Sequence, residues 1–233
     1  MVADPRLIED LVAANRVLAD QGVVDGYGHV SVRHPGKPER YLLSRSLAPE
    51  LVTAGDVVEH DLDSGPIDDA RPLYLERFIH GEIYRRRPDV QAVVHHHSPS
   101  VIPFGVGRAP LRPLYHMSAF LGDGVPVYDI RDGGGMTDML VRTPALARAL
   151  AETLGSRSAA LMRGHGAVVV GSSLPQAVGR SIYMELNAQL QAQAMGLGGE
   201  ITYLAPEEAR QAMATIAGYE RAWDLWKRRS LAR

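Results

Sequence analysis

Residues 92–97 read Ala92-Val93-Val94-His95-His96-His97, an apolar run that ends in three histidines. In an extended segment alternate side chains share a face, so His95 and His97 point one way and His96 the other. The run reads as a buried strand. Two imidazoles on one side, just past its end, can close on one divalent metal ion with Zn–N bonds of roughly 2.0–2.1 Å. Alone, the triplet reads as well as a polar strand end, and the decision rests on whether further ligands occur elsewhere.

Composition narrows the choice. A chain of 233 residues fits one mixed α/β core, so residues 1–233 are expected to form a single domain. With 45% hydrophobic and 22% charged residues and a formal charge of −2, the chain is too little basic for a nucleic-acid partner. No apolar run approaches the roughly 18 residues of a membrane span. The start Met1-Val2-Ala3-Asp4-Pro5 lacks a basic segment followed by an apolar one, which suggests a cytoplasmic protein. Cysteine is absent, which excludes disulfides, thiolate ligands and a cysteine nucleophile and leaves His, Asp and Glu for any metal.

Outward from the triplet, periodicity defines the elements. Asp4-Pro5 supplies an N-cap and a first-turn proline for a helix carrying Leu7, Ile8, Leu11, Val12 and Leu18 and ending by Gly22. His29–Arg33, Tyr41–Leu43 and Val57–Asp61 alternate as short strands at hairpin spacing, hence antiparallel. From Leu73 the spacing of Leu75, Phe78, Ile79 and Ile83 predicts a helix that ends before Pro88, with Glu76 in its first turn. A helix from Thr143-Pro144 to Leu154 precedes strands at Ala159–Met162 and Ala167–Gly171. Ser173-x-x-Gln176 opens a helix to about Met195, and a last helix runs from Pro206 past Trp226.

His165 lies between Gly164 and Gly166 in the tight connection of the last two strands, where backbone can approach a site closely and the imidazole can stand clear of the sheet. Three imidazoles leaving a coordination position open are the pattern of a catalytic metal site. Glu76 adds a fourth ligand or a general acid/base, although alone it reads as a carboxylate favoured by a helix N-terminus. Arg85-Arg86-Arg87 reads as a solvated helix end and Gly133-Gly134-Gly135 as a flexible turn. Trp223 and Trp226 read as packing for the terminal helix or an interface. His34, His60 and His80 suggest no partner.

Gly28, Ser31 and Arg33, then Glu76, then Arg87-Pro88-Asp89 with His95-x-His97, and finally Gly164-His165-Gly166 with Gly171, resemble the class II aldolase/adducin family along nearly the whole length. The resemblance implies a three-layer α/β/α domain with a central, mostly antiparallel sheet. It also implies a homotetramer with active sites at subunit interfaces. By the same likeness His95, His97 and His165 would bind one divalent metal ion, Zn²⁺ or Mn²⁺ first and Fe²⁺ or Co²⁺ next, with Glu76 as the metal-linked acid/base.

Departures from the sugar-phosphate aldolases of the family redirect the substrate. His29 stands where those enzymes have asparagine, and Tyr74 and Leu75 stand where they have paired serines, so no phosphate pocket is expected. Ser44-Arg45-Ser46 replaces a Thr/Gly-rich loop, and its guanidinium suits a planar carboxylate. The aldolases' tyrosine proton donor aligns with His116, with Tyr115 one residue out of register, and a histidine there can shuttle a proton. His29, Ser44, Arg45, Ser46 and Tyr115 would then bind substrate, with Glu76 and His116 catalytic. These segments look like the subgroup that decarboxylates dihydroxyphthalates and hydroxypyridine-dicarboxylates. The expectation is a small-molecule lyase whose metal takes up charge on an enolate-like oxygen as a carbon–carbon bond breaks. Competing readings are an aldolase acting on a non-phosphorylated hydroxy-carbonyl compound, a metal-dependent oxygenase, and a non-enzymatic adducin-like interaction domain.

Overall fold

Asp4 accepts the Arg6 amide at 2.9 Å and Pro5 opens helix α1 (Pro5–Asp20), the start that the Asp-Pro pair predicts. The structure is a computed structural model describing residues 4–216 and 218–232, so Met1 to Ala3 of the N-terminal segment read above lie outside the described residues. After α1 come β1 (His29–Arg33), β2 (Arg40–Ser44), β3 (Val57–Asp61), α2 (Phe78–Arg86), β4 (Ala92–His96), α3 (Ile102–Val106) and β5 (Val127–Tyr128). Then follow α4 (Arg131–Gly134), α5 (Pro144–Leu154), β6 (Ala159–Met162), β7 (Gly166–Gly171), α6 (Leu174–Leu197), α7 (Pro206–Ile216) and α8 (Glu220–Leu231).

The strands form one seven-stranded sheet in the order β3-β2-β1-β4-β7-β6-β5, so the histidine strand β4 is its centre. Every pairing is antiparallel except β5 with β6. Alternation along the strands divides the core. Val93, Val168, Val170 and Met162 face Ile79 and Ile83 of α2 and Leu150 and Leu154 of α5. Val30, Val32 and Val94 face Leu11 and Leu18 of α1, Val178 and Ile182 of α6, and Trp223 of α8. Leu161 and Val169 pack with Phe104, Phe120 and Met184. Helices thus cover both faces of the sheet, the three-layer α/β/α arrangement expected.

Four readings are corrected. α2 starts at Phe78, not near Leu73, because the Ile79 amide bonds the Glu76 carbonyl at 3.0 Å in a tight turn ahead of the helix. Leu75 is therefore 57% exposed rather than on the buried face. The last helix is two helices: Tyr219 takes a left-handed φ of 58°, a conformation that cannot continue a helix, and its ring lies where a Cβ on Gly179 would be. Gly133 and Gly134 belong to the short α4. Of the three arginines only Arg85 and Arg86 are solvated, whereas Arg87 donates to the Gly155 carbonyl at 2.7 Å and joins the end of α2 to that of α5.

Candidate metal centre

β4 delivers His95 and His97 on the face that carries Val93, and sends His96 to the opposite face, where its Nδ1 meets the Ser98 hydroxyl at 2.8 Å. β7 pairs beside it, with His96 opposite Ala167. The β6–β7 turn then brings His165 to the same end of the sheet. Gly164 takes φ +63° in that turn, and a Cβ on Gly166 would stand 2.0 Å from the His96 carbonyl oxygen. Only glycine permits so close an approach.

Glu76, His95, His97 and His165 each offer one ligand atom, all within 4.8 Å of one another. His97 Nε2 lies 3.1 Å from both His95 Nε2 and His165 Nε2. Glu76 Oε2 lies 3.5 Å from His95 Nε2 and 3.4 Å from His165 Nε2. Donors on a shared tetrahedral ion with 2.0–2.1 Å bonds stand roughly 3.3 Å apart.

Backbone groups fix the tautomers. His95 Nδ1 lies 3.1 Å from the Ala167 carbonyl and His165 Nδ1 3.0 Å from that of Met139, and a carbonyl can only accept. Each Nδ1 therefore carries the proton and each Nε2 turns a lone pair to the shared centre, the carbonyl–histidine pattern of metal sites. Glu76 Oε1 accepts the Val141 amide at 2.8 Å, leaving Oε2 to face the histidines. Burial raises the Glu76 carboxyl, but the adjacent His165 and His95 outweigh it and hold the group below the usual carboxylate range. Burial, then the neighbouring His95 and His165, pushes His97 down to about 4, which keeps it neutral at pH 7. Convergent lone pairs beside a carboxylate repel one another without a cation, so this donor set fits a divalent metal ion.

Glu76, His95 and His97 open onto a cavity of about 300 Å³ walled by Gly26, Tyr27, Gly28, His29, Ser46, Leu47, Ala48, Tyr74, Leu75 and Leu140. Gly28, at φ +94°, lies where a Cβ would approach the His95 carbonyl to 3.1 Å.

Of the sequence-derived substrate residues, His29 and Ser46 reach this wall and the others do not. Arg45 is turned away because its Nε is held by Asp56 at 2.7 Å. Hydrogen bonds from Thr53 and then Arg45 lower that carboxyl to about 2. Ser44 is spent on the Tyr74 hydroxyl at 3.1 Å. Tyr115 and His116 begin a 3-10 turn fastened to α6, where Asn187 Oδ1 accepts the Leu114 amide at 2.9 Å and the Ser118 hydroxyl at 2.7 Å. His116 is exposed, and neither residue lines this cavity.

Sequence reasoning missed the supports. Met139 and Val141 act through backbone groups that any residue carries, and only the positive φ of Met139, 70°, marks the segment. His80 lies beneath the cavity, bonded to His29 and Ser31 at 2.6 Å each, and the Glu–helix periodicity that placed it offered no hint.

Residues 9–192 match the family described as Class II Aldolase and Adducin N-terminal domain. The chain belongs to that family. Among its relatives, "Decarboxylase tropJ" of Talaromyces stipitatus is 36% identical over 95% of this chain and 92% of its own length. A 3,4-dihydroxyphthalate decarboxylase of Arthrobacter keyseri is 32% identical over 97% of this chain and 92% of its own. A solved aldolase II superfamily protein from Pseudomonas syringae superposes with a TM-score of 0.82 at 25% identity, covering 98% of this chain and 94% of that one. Among the described residues no helix is long and apolar enough to cross a membrane.

Proposed function

We propose that this family member is a divalent-metal-dependent carbon–carbon lyase that removes carbon dioxide from a hydroxylated aromatic or heteroaromatic carboxylate. The observation that carries the reading is the convergence of three imidazoles and one carboxylate, of which Glu76, His95 and His97 border a cavity with no lysine or arginine among the described residues of its wall. Such a wall is poorly suited to a phosphate and well suited to an aromatic ring. The two decarboxylase relatives support the choice of reaction.

His95, His97 and His165 would hold the ion, with Glu76 beside them. A bound ion would supply Lewis acidity toward a substrate oxygen, where charge develops as the carbon–carbon bond breaks. The Ala167 and Met139 carbonyls keep the imidazoles of His95 and His165 in the ligating tautomer. Leu47, Ala48, Leu75 and Leu140 give the cavity an apolar wall against which an aromatic ring would rest. Glu76 Oε2 is the carboxylate oxygen placed to hold or pass a proton. Exposed His116, with Tyr115, would serve a neighbouring subunit's cavity in a homotetramer whose sites lie between subunits. The metal is assigned as Zn²⁺ or Mn²⁺ before Fe²⁺ or Co²⁺, and the protein as cytoplasmic.

The test is a mass-spectrometric screen for carbon dioxide release by metal-loaded protein from 3,4-dihydroxyphthalate and other hydroxylated aromatic carboxylates. A parallel arm follows pyruvate release from hydroxy-oxo acids. Decarboxylation of at least one aromatic acid is expected; pyruvate release alone would transfer the assignment to an aldolase.

A further inference from the structure

Beneath the cavity four polar side chains form one unbroken hydrogen-bonded line. His29 Nδ1 lies 2.6 Å from His80 Nε2, His80 Nδ1 lies 2.6 Å from Ser31 Oγ, and Ser31 Oγ lies 2.8 Å from the Tyr84 hydroxyl. His80, Ser31 and Tyr84 are buried to 1% exposure or less, and His29 alone reaches the cavity wall. β1 places His29 and Ser31 on one face by alternation, and α2 places His80 and Tyr84 one turn apart. Only His29 meets the cavity, so the other three serve it from behind.

The direction of this line follows from counting protons. The Tyr84 hydroxyl meets the Ser31 hydroxyl and the Val93 backbone N–H, and since an N–H can only donate, Ser31 is the acceptor open to the Tyr84 proton among the described residues. A buried hydroxyl that donates to nothing is costly, whereas an oxygen with an unused lone pair is cheaper, so Tyr84 donates to Ser31. Ser31 has one proton and must pass it to His80 Nδ1. His80 Nδ1 accepts from Ser31, so the proton of that ring sits on Nε2 and points to His29 Nδ1. His29 Nδ1 accepts that proton, so the one proton of its own ring sits on Nε2. That nitrogen has no hydrogen-bond partner among the described residues, and the ring borders the cavity beside His95 and Tyr74.

We propose that Tyr84, Ser31 and His80 are positioning residues that lock His29 as the Nε2–H tautomer, making it a neutral hydrogen-bond donor to an anionic oxygen of the cavity's ligand. The reading rests on the aromatic-carboxylate function proposed above and names the group that recognises one carboxylate or phenolate oxygen. Arg45, engaged by Asp56, does not reach the wall, and His29 supplies a donor there without bringing a positive charge next to the metal ligands. The reverse orientation would present a lone pair to the cavity and repel the same oxygen.

The proposal is tested first on metal-free protein, by nitrogen-15 NMR of the histidine rings. A pyrrole-type Nε2 and a pyridine-type Nδ1 are expected for His29, and the opposite assignment overturns the proposal. Tyr84→Phe removes the proton that directs the line, and His29 should then become a mixture of tautomers. Ser31→Ala is the second variant should Tyr84→Phe fail to fold, and a folded variant with wild-type His29 shifts would also overturn the relay. With metal-loaded protein and 3,4-dihydroxyphthalate or whichever acid the screen finds, His29→Phe should raise KM about tenfold or more with bound metal unchanged. His29→Gln, which keeps an N–H donor, should recover part of that loss, and equal KM values for wild type and His29→Phe would contradict the donor role. Should no aromatic acid react, the function proposed above fails while the NMR result still decides the tautomer.

Discussion

His95 and His165 each direct the Nδ1 proton to a backbone carbonyl, and that detail suits the proposed role of the cluster as a receptor for a cation. Removing one donor should therefore cost metal and not fold. His97 lies at the cavity edge, and His97→Ala should weaken Zn²⁺ or Mn²⁺ binding by about 100-fold or more in equilibrium dialysis while leaving circular dichroism unchanged. Glu76→Gln keeps the shape and should retain metal while lowering turnover about 100-fold; unchanged turnover would remove Glu76 from the chemistry. A different role falls to Arg33, whose guanidinium is buried and donates to the carbonyls of Val90, Pro38, Tyr84 and Arg87 at 3.0, 2.5, 2.8 and 3.0 Å. Arg33→Met leaves those carbonyls without their donor and should lower stability by about 3 kcal/mol in urea unfolding. The clustering of His95, His97 and His165 was legible because imidazoles at an apolar strand end and between two glycines, each ambiguous alone, occur in one chain together with Glu76. Their carbonyl partners were not, since Ala167 and Met139 contribute no side-chain chemistry.

At the scale of elements, the centre depends on how tightly the β6–β7 turn lies against the end of β4. Gly166 faces the His96 carbonyl with no room for a methyl group, so Gly166→Ala must push β7 from β4. The expected result is a loss of about 3 kcal/mol or more together with weakened metal binding, measured by thermal unfolding and dialysis on the same preparation. A variant as stable as wild type with full metal affinity would show that the turn does not position His165. Most strands and helices were legible because period-two and helical spacing report burial directly, as in β3 and α5, whose predicted bounds are met. The exceptions have local causes. Glu76 left the helix assigned to it because a tight turn precedes α2, and the break between α7 and α8 comes from Tyr219 packing on Gly179, a contact no window of sequence contains. The substrate-binding reading of Arg45 missed Asp56, eleven positions away and across a turn.

For the whole molecule, seven strands in one sheet with helices on both faces lead us to expect one cooperative unfolding transition, in keeping with the proposed single domain. Its stability should depend on acid in a defined direction. Burial lowers His60 to about 4, below the roughly 6.5 of an unfolded histidine. Between these values the unfolded chain binds the proton and the folded chain does not, so stability falls as pH drops from about 6.5 toward 4 and levels off below. Urea midpoints of metal-free protein should decline across that window, with His60 contributing on the order of 1–2 kcal/mol at pH 5. Flat midpoints from pH 7 to 4.5 would contradict the burial of neutral histidines. The question that matters most is whether the central strand builds a working metal site. Carbon dioxide release from hydroxylated aromatic carboxylates, followed on one preparation before chelation, after it, and after returning one equivalent of metal, answers it directly. Activity should vanish on chelation and return with the metal in wild type but not in His97→Ala; activity that survives chelation, or is equal in the two proteins, would contradict the proposed centre.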